Sequence, residues 1–137
     1  MNYKKEYLYK KIVGAKQFLD KKYEDDISLD ILTKVANISK HHFIRLFKKT
    51  YGSTPHKYLI EKRLKIAKQE LESTQKSVSE ICFEVGFSSV NSFCNLFKRA
   101  TSQTPLEYRN TFNELKENRF KEPLGNIPGC YGLIHHS

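Results

Sequence analysis

Apolar residues along this chain fall at helical spacing, and the polar residues between them punctuate short segments. Leu8, Ile12, Ala15 and Leu19 mark one stripe near the start. Ile60, Leu64, Ala67 and Leu71, at i, i+4, i+7 and i+11, mark another that runs unbroken from Pro55 to Ser73-Thr74. Each predicts a long amphipathic helix. Between them lie two shorter segments. Ser28 is placed to cap a helix carrying Ile31, Leu32 and Val35 on one side, Asn37-Ile38-Ser39 makes a break, and Ser39 caps a second helix through about Thr50. Further on, Ser77-Val78-Ser79-Glu80 has the spacing of a capping box. Gly86 closes that helix in the left-handed conformation, and Ser88 or Ser89 caps the next, through about Thr101. Thr54-Pro55 and Thr104-Pro105 each begin another helix, with Thr as cap and Pro in the first turn. The predicted fold class is all-α.

The two short segments are copies of each other. Residues 27–60 laid on residues 77–110, a displacement of 50 without gaps, give ten identities in 34 pairs, where random pairing gives roughly two. The identities are Ile31/Ile81, Val35/Val85, Ser39/Ser89, Phe43/Phe93, Leu46/Leu96, Phe47/Phe97, Lys48/Lys98, Thr54/Thr104, Pro55/Pro105 and Tyr58/Tyr108. Amphipathic helices alone would not align Ser, Thr-Pro and Tyr as well. Two short helices joined by a tight break, the second with a polar outer face, form the helix-turn-helix pattern, here in tandem. The chain thus divides into an N-terminal helix with the first helix-turn-helix (1–53), a connector helix (54–73), a second helix-turn-helix (74–112) and a C-terminal tail (113–137).

On a helical wheel Phe43, Leu46 and Phe47 fall together and face a core, leaving His41, Arg45 and Lys48 opposite and Ile44 at the edge. In the second copy Phe93, Leu96 and Phe97 face inward, Asn91, Asn95 and Lys98 outward, with Ser92 and Cys94 to the sides. A DNA major groove admits one helix and is read by such side chains. Arg45 suits guanine, Asn91 or Asn95 suits adenine, and Ile44 suits a thymine methyl. Lys48, Lys49, Lys98 and Arg99 come later in the helices and suit phosphates. Ser39, Lys40 and Ser89 complete the expected phosphate-binding set.

Charge sharpens this picture. The net charge is +9, and the window from Lys40 to Lys68 holds nine basic residues against Glu61 alone, so +8 of it is concentrated there. That distribution suits a polyanion laid across one surface. The three cysteines form no CxxC pair, and no apolar N-terminal segment precedes the first helix; together they predict a reducing cytoplasm. No apolar run approaches the roughly 18 residues that span a bilayer.

The run EICFEVGFSSVNSFCNLFKRATSQTPLEYR, from Glu80 to Arg109, resembles the signature of the AraC/XylS transcription regulators. Its hallmarks are Ile81, Val85-Gly86-Phe87, Phe93, Phe97-Lys98, Thr104-Pro105 and Tyr108-Arg109. SKHHFIRLFKK and the following YGSTP resemble the same family's first unit, and the likeness covers about residues 5–110. The resemblance implies about seven helices in two homeodomain-like units, with recognition helices in successive major grooves. It implies base reading by His41, Ile44 and Arg45, then by Val90, Asn91, Ser92 and Asn95. Double-stranded DNA bound by a monomer is the expected partner, and contact with RNA polymerase is implied by the resemblance alone. The chain resembles the small standalone members. Cys82 replaces the family's usual alanine, Ala36 the glycine of the first turn, and Ser102 the glycine before the second Thr-Pro.

Other chemistries find less support. Cys130, His135 and His136 match no standard zinc spacing, and the neighbours His41 and His42 point apart on a helix. No cofactor or metal is expected. Neither a nucleophile elbow nor a phosphate loop is present, so no enzyme is expected. RNA binding is disfavoured because the four phenylalanines face the core. The alternative is a basic protein-interaction module whose DNA binding is nonspecific. In the tail, Lys116 to Lys121 is compatible with helix, and Pro123 to Gly132 reads as a loop.

Overall fold

The computed structural model describes residues 2–121, with side chains from 4 to 119. Among them are seven α-helices: α1 (Asn2–Lys21), α2 (Leu29–Ala36), α3 (Lys40–Tyr51), α4 (Pro55–Ser73), α5 (Val78–Glu84), α6 (Val90–Thr101) and α7 (Pro105–Lys121). The predicted Pro123–Gly132 loop and the Cys130, His135 and His136 group lie outside the described residues. No helix among them is long and apolar enough to cross a membrane.

The helix boundaries follow from capping chemistry. The hydroxyls of Ser28, Ser39, Thr54 and Ser89 each accept the backbone N–H three residues on, at 3.2–3.3 Å. Ser77 and Glu80 complete a reciprocal capping box, and so do Thr104 and Glu107. Four helix ends use a left-handed residue: Asn37 (φ 57°), Gly52 (81°), Gly86 (110°) and Ser102 (69°). The glycine missing before Thr104 is thus replaced by a serine that adopts the left-handed geometry, at a cost of roughly 1–2 kcal/mol.

Two hydrophobic clusters hold the helices together. The first gathers Ile12, Leu19, Leu32, Phe43, Phe47 and Leu59, the second Leu64, Leu71, Ile81, Val85, Phe93 and Phe97. Burying each phenylalanine contributes about 1.5–3 kcal/mol. Helix α4 serves both: Leu59 closes the first cluster, while Leu64, Ala67 and Leu71 open the second.

Burial shows the repeat to be longer than the sequence suggested, and not gapless. Ile12, Ala15 and Leu19 of α1 correspond to Leu64, Ala67 and Leu71 of α4, a displacement of 52. Between α2 and α5 the displacement is 49: the caps Ser28 and Ser77 match, as do buried Leu32, Thr33 and Ala36 with Ile81, Cys82 and Val85. It becomes 50 from Ser39/Ser89 onward. The α1–α2 loop is therefore three residues longer than the α4–α5 loop, and the second turn carries one extra residue. Two expectations are corrected as a result. Ile31 and Val35 are 43% and 69% exposed, because they correspond to Glu80 and Glu84 rather than to Ile81 and Val85. The counterpart of Gly86 is Asn37, not Ala36: both are left-handed, and Ile38 and Phe87 donate alike, to the carbonyls of Thr33 and Cys82.

The same polar tie closes each unit. Tyr58 Oη donates to Asp20 Oδ1 at 2.5 Å, and Tyr108 Oη donates to Glu72 Oε2. Burial, then the bond to an ionised carboxylate, pushes each phenol up to about 12. At Asp20 burial acts upward, but the Tyr58 and Lys16 donors outweigh it and hold the carboxyl below its usual range. Because the native phenols keep their protons above the unfolded value of about 10, their stabilisation is complete below that pH and is lost as pH rises toward 12. Near-ultraviolet titration of the wild type, Tyr58→Phe and Tyr108→Phe is expected to show one late-ionising phenol removed by each substitution. Complete ionisation of the wild type by about pH 11 would contradict this.

Candidate nucleic-acid interface

Helices α3 and α6 are each anchored from beneath by two phenylalanines. Phe43, Phe47, Phe93 and Phe97 are all fully buried, with tilted or edge-on ring contacts to one another and to Tyr51, Tyr58, Phe87 and Tyr108. This anchoring fixes the rotation of each helix about its axis, and with it the outward residues.

On α3 that outward set is His41, Arg45, Lys48 and Lys49, all exposed. On α6 it is Asn91, Ser92, Asn95, Lys98 and Arg99, also exposed. The predicted polar residues are therefore brought together on each helix. Among the described residues, Arg45, Lys48, Lys49, Lys98 and Arg99 take part in no ion pair. Both helices lack acidic residues in the first turn and carry basic ones in the last.

Five predicted residues have divided surroundings. Ile44 is half-buried and lines an apolar cavity of about 150 Å³ with Leu19, Ile27, Leu29, Leu32, Pro55 and Leu59. Val90 is half-buried against the second cluster. Lys40 Nζ sits 2.6 Å from Asp30 Oδ1 in an exposed ion pair, which holds Asp30 below its usual range through the hydrogen bond and the charge. The Ser39 and Ser89 hydroxyls already accept cap hydrogen bonds, and each retains its own proton to donate.

Arg63 overturns part of the charge reading. It falls within the basic window from Lys40 to Lys68, yet it is 8% exposed. Its Nε donates to the Tyr23 carbonyl at 2.7 Å and its Nη2 to the Asp25 carbonyl at 2.8 Å. Nothing in the spacing of charges announces this. The only local signal is the stripe itself: one residue before Leu64, Arg63 stands on the apolar side of α4. Among the described residues no group of three or more His, Cys, Asp or Glu is placed to hold a metal ion.

Residues 32–111 match a family model described as a helix-turn-helix domain. The "Probable transcriptional regulator LumQ" of Photobacterium leiognathi is 36% identical over 92 residues, covering 67% of this chain and 37% of that protein. A transcriptional regulator of Chromobacterium violaceum, described as AraC-type, is 32% identical with a TM-score of 0.68, over 76% of this chain and 93% of that one. The DNA-binding domain of AdpA, a global transcriptional factor solved in complex with a target DNA, is 26% identical with a TM-score of 0.68, over 84% and 97%. The chain spans well under half the length of LumQ.

Proposed function

Since the chain belongs to the AraC-type helix-turn-helix family, we propose that it is a sequence-specific transcription regulator binding double-stranded DNA. In this reading a monomer contacts an asymmetric promoter site through α3 and α6 in successive major grooves. One observation carries it: two helices held alike from beneath present different outward faces, His41 and Arg45 on one, Asn91 and Asn95 on the other. Unlike faces read unlike half-sites. The 19-residue α4 joining the units is about 28 Å long, on the scale of the 34–36 Å that separates successive major-groove faces.

The residues divide by role. His41, Ile44 and Arg45 on α3, then Val90, Asn91, Ser92 and Asn95 on α6, read the bases, with Arg45, Asn91 and Asn95 suited to bidentate contacts. Lys48, Lys49, Lys98 and Arg99, with the N-terminal Ser39 and Ser89, position the backbone of the duplex. Lys40 joins them only by leaving Asp30. At the promoter the bound chain acts on RNA polymerase.

Selection from a random duplex library near physiological salt is expected to return a motif in two dissimilar halves. A palindromic motif bound at dimer stoichiometry would sink the reading. Arg45→Ala is expected to weaken the selected site by about 1–3 kcal/mol, roughly 5- to 150-fold, and to relax preference at one base pair. An equal loss on every sequence would remove Arg45 from the base-reading set.

A further inference from the structure

We propose that Arg63 is a positioning residue that fixes how the two recognition helices are set relative to each other, and so the spacing of half-sites the protein accepts. The inference rests on the two-groove reading above. Arg63 lies on α4, yet the groups around its guanidinium come from both units. Two backbone carbonyls, of Tyr23 and Asp25, accept from it on the first unit's side. On the second unit's side its Cζ lies 5.7 Å from the centre of the Phe87 ring. Gly86 approaches so closely that a Cβ there would meet Nε at 2.7 Å and the Tyr23 carbonyl oxygen at 2.8 Å.

The acceptors lie in the α1–α2 loop, which exceeds its counterpart by three residues. In the second unit three residues, Thr74 to Lys76, suffice between α4 and the cap Ser77; in the first, six separate α1 from Ser28. The Tyr23 ring packs against both hydrophobic clusters. The longer loop is thus the part of the first unit that reaches the second, and Arg63 is pinned between them.

The chemistry of the pin argues for geometry over stability. A buried cation is costly, and an apolar residue of similar volume generally serves stability as well. Here the cation is satisfied by carbonyls just past the C-terminal end of α1, where the helix dipole is negative, and by a ring face. Hydrogen bonds and a ring contact are directional, whereas an apolar side chain in that place would permit sliding. Gly86 and Phe87 also open the turn into Ser89, the cap of α6. A shift of the pin therefore moves a recognition helix.

The test uses the full chain with Arg63→Met, and with Phe87→Leu as a second variant that leaves the carbonyl bonds in place. Each is titrated against the selected duplex, the same duplex with one base pair inserted between its halves, and duplexes with one half scrambled. One inserted pair rotates the halves by about 35°, so the wild type is expected to lose about tenfold in affinity. For the variants that penalty is expected to shrink below about threefold, while single-half affinity stays within about twofold of wild type. An unchanged insertion penalty in folded variants overturns the proposal, as does an equal loss on half-sites. Residual dipolar couplings provide a readout that needs no DNA. Amides of α2–α3 and of α5–α6 should share one alignment tensor in the wild type and need two in the variants. If selection returns no two-part site, the function above fails, and the couplings alone decide whether Arg63 sets the arrangement.

Discussion

Gly86→Ala is expected to destabilise the protein by about 3–4 kcal/mol, lowering the melting temperature by roughly 10 °C or more. Two separate effects combine. Gly86 has φ 110°, which an L-residue adopts only with strain, and such strain costs about 1–3 kcal/mol. The added methyl would also lie 2.7 Å from Arg63 Nε, 2.8 Å from its Cζ and 2.8 Å from the Tyr23 carbonyl oxygen. Neither neighbour can yield cheaply. The carbonyl is backbone, and the guanidinium is held by two hydrogen bonds; losing bonds to a charged group costs about 1.5–3 kcal/mol each. Gly52→Ala is the control. Gly52 is also left-handed, at φ 81°, but a Cβ there meets nothing within 4 Å, so only the conformational cost of about 1–2 kcal/mol remains. Urea unfolding of both variants separates the terms. Equal losses at the two positions would mean that crowding against Arg63 contributes nothing.

Raising salt from 50 to 200 mM is expected to weaken DNA binding by roughly 100-fold. Each cation that neutralises a phosphate releases a condensed counterion, and the slope of log affinity against log salt is about −0.9 per contact. Lys48, Lys49, Lys98 and Arg99 are exposed and outside any ion pair among the described residues, which gives a slope near −3.6. Lys40 should add less than a full contact, because it begins in an ion pair with Asp30. Fluorescence anisotropy across that salt range measures the slope directly. Lys48→Ala should reduce it by about one while lowering affinity for all sequences alike. A slope near zero would leave the basic face without a phosphate role.

The sequence disclosed more of the recognition helices than of the helices before them. Phe43, Phe47, Phe93 and Phe97 are large and regularly spaced, so one wheel reading oriented α3 and α6 correctly. Caps at Ser39, Thr54 and Ser77 were legible because capping is local chemistry. Helix α2 misled because Ile31 and Val35 match Ile81 and Val85 by type, while burial matches Leu32 and Ala36 to Ile81 and Val85. Identity favoured a gapless register; the structure trades three residues in one loop for one in a turn. That exchange involves contacts distant in sequence, and no local pattern records them. Arg63 was hidden for the same reason. Its acceptors are main-chain carbonyls some forty residues earlier, and a carbonyl has no residue type to read.

Helix α4 has a consequence for how such a protein can change over generations. As the last helix of one unit and the first of the next, it makes two four-helix units from the seven helices among the described residues. Under that rule a further unit adds three helices, and no cut in the chain yields two intact halves. Drift is then unevenly distributed. On the two-groove reading, His41 and Asn91, or Arg45 and Asn95, can diverge independently, because each outward position would answer to its own stretch of DNA. Leu59 and Leu64 stand five positions apart on one helix and answer to different cores, so any shift or rotation of that helix is tested twice. On that reading, the outward positions could acquire new targets while the two cores that share the helix hold its seam in place.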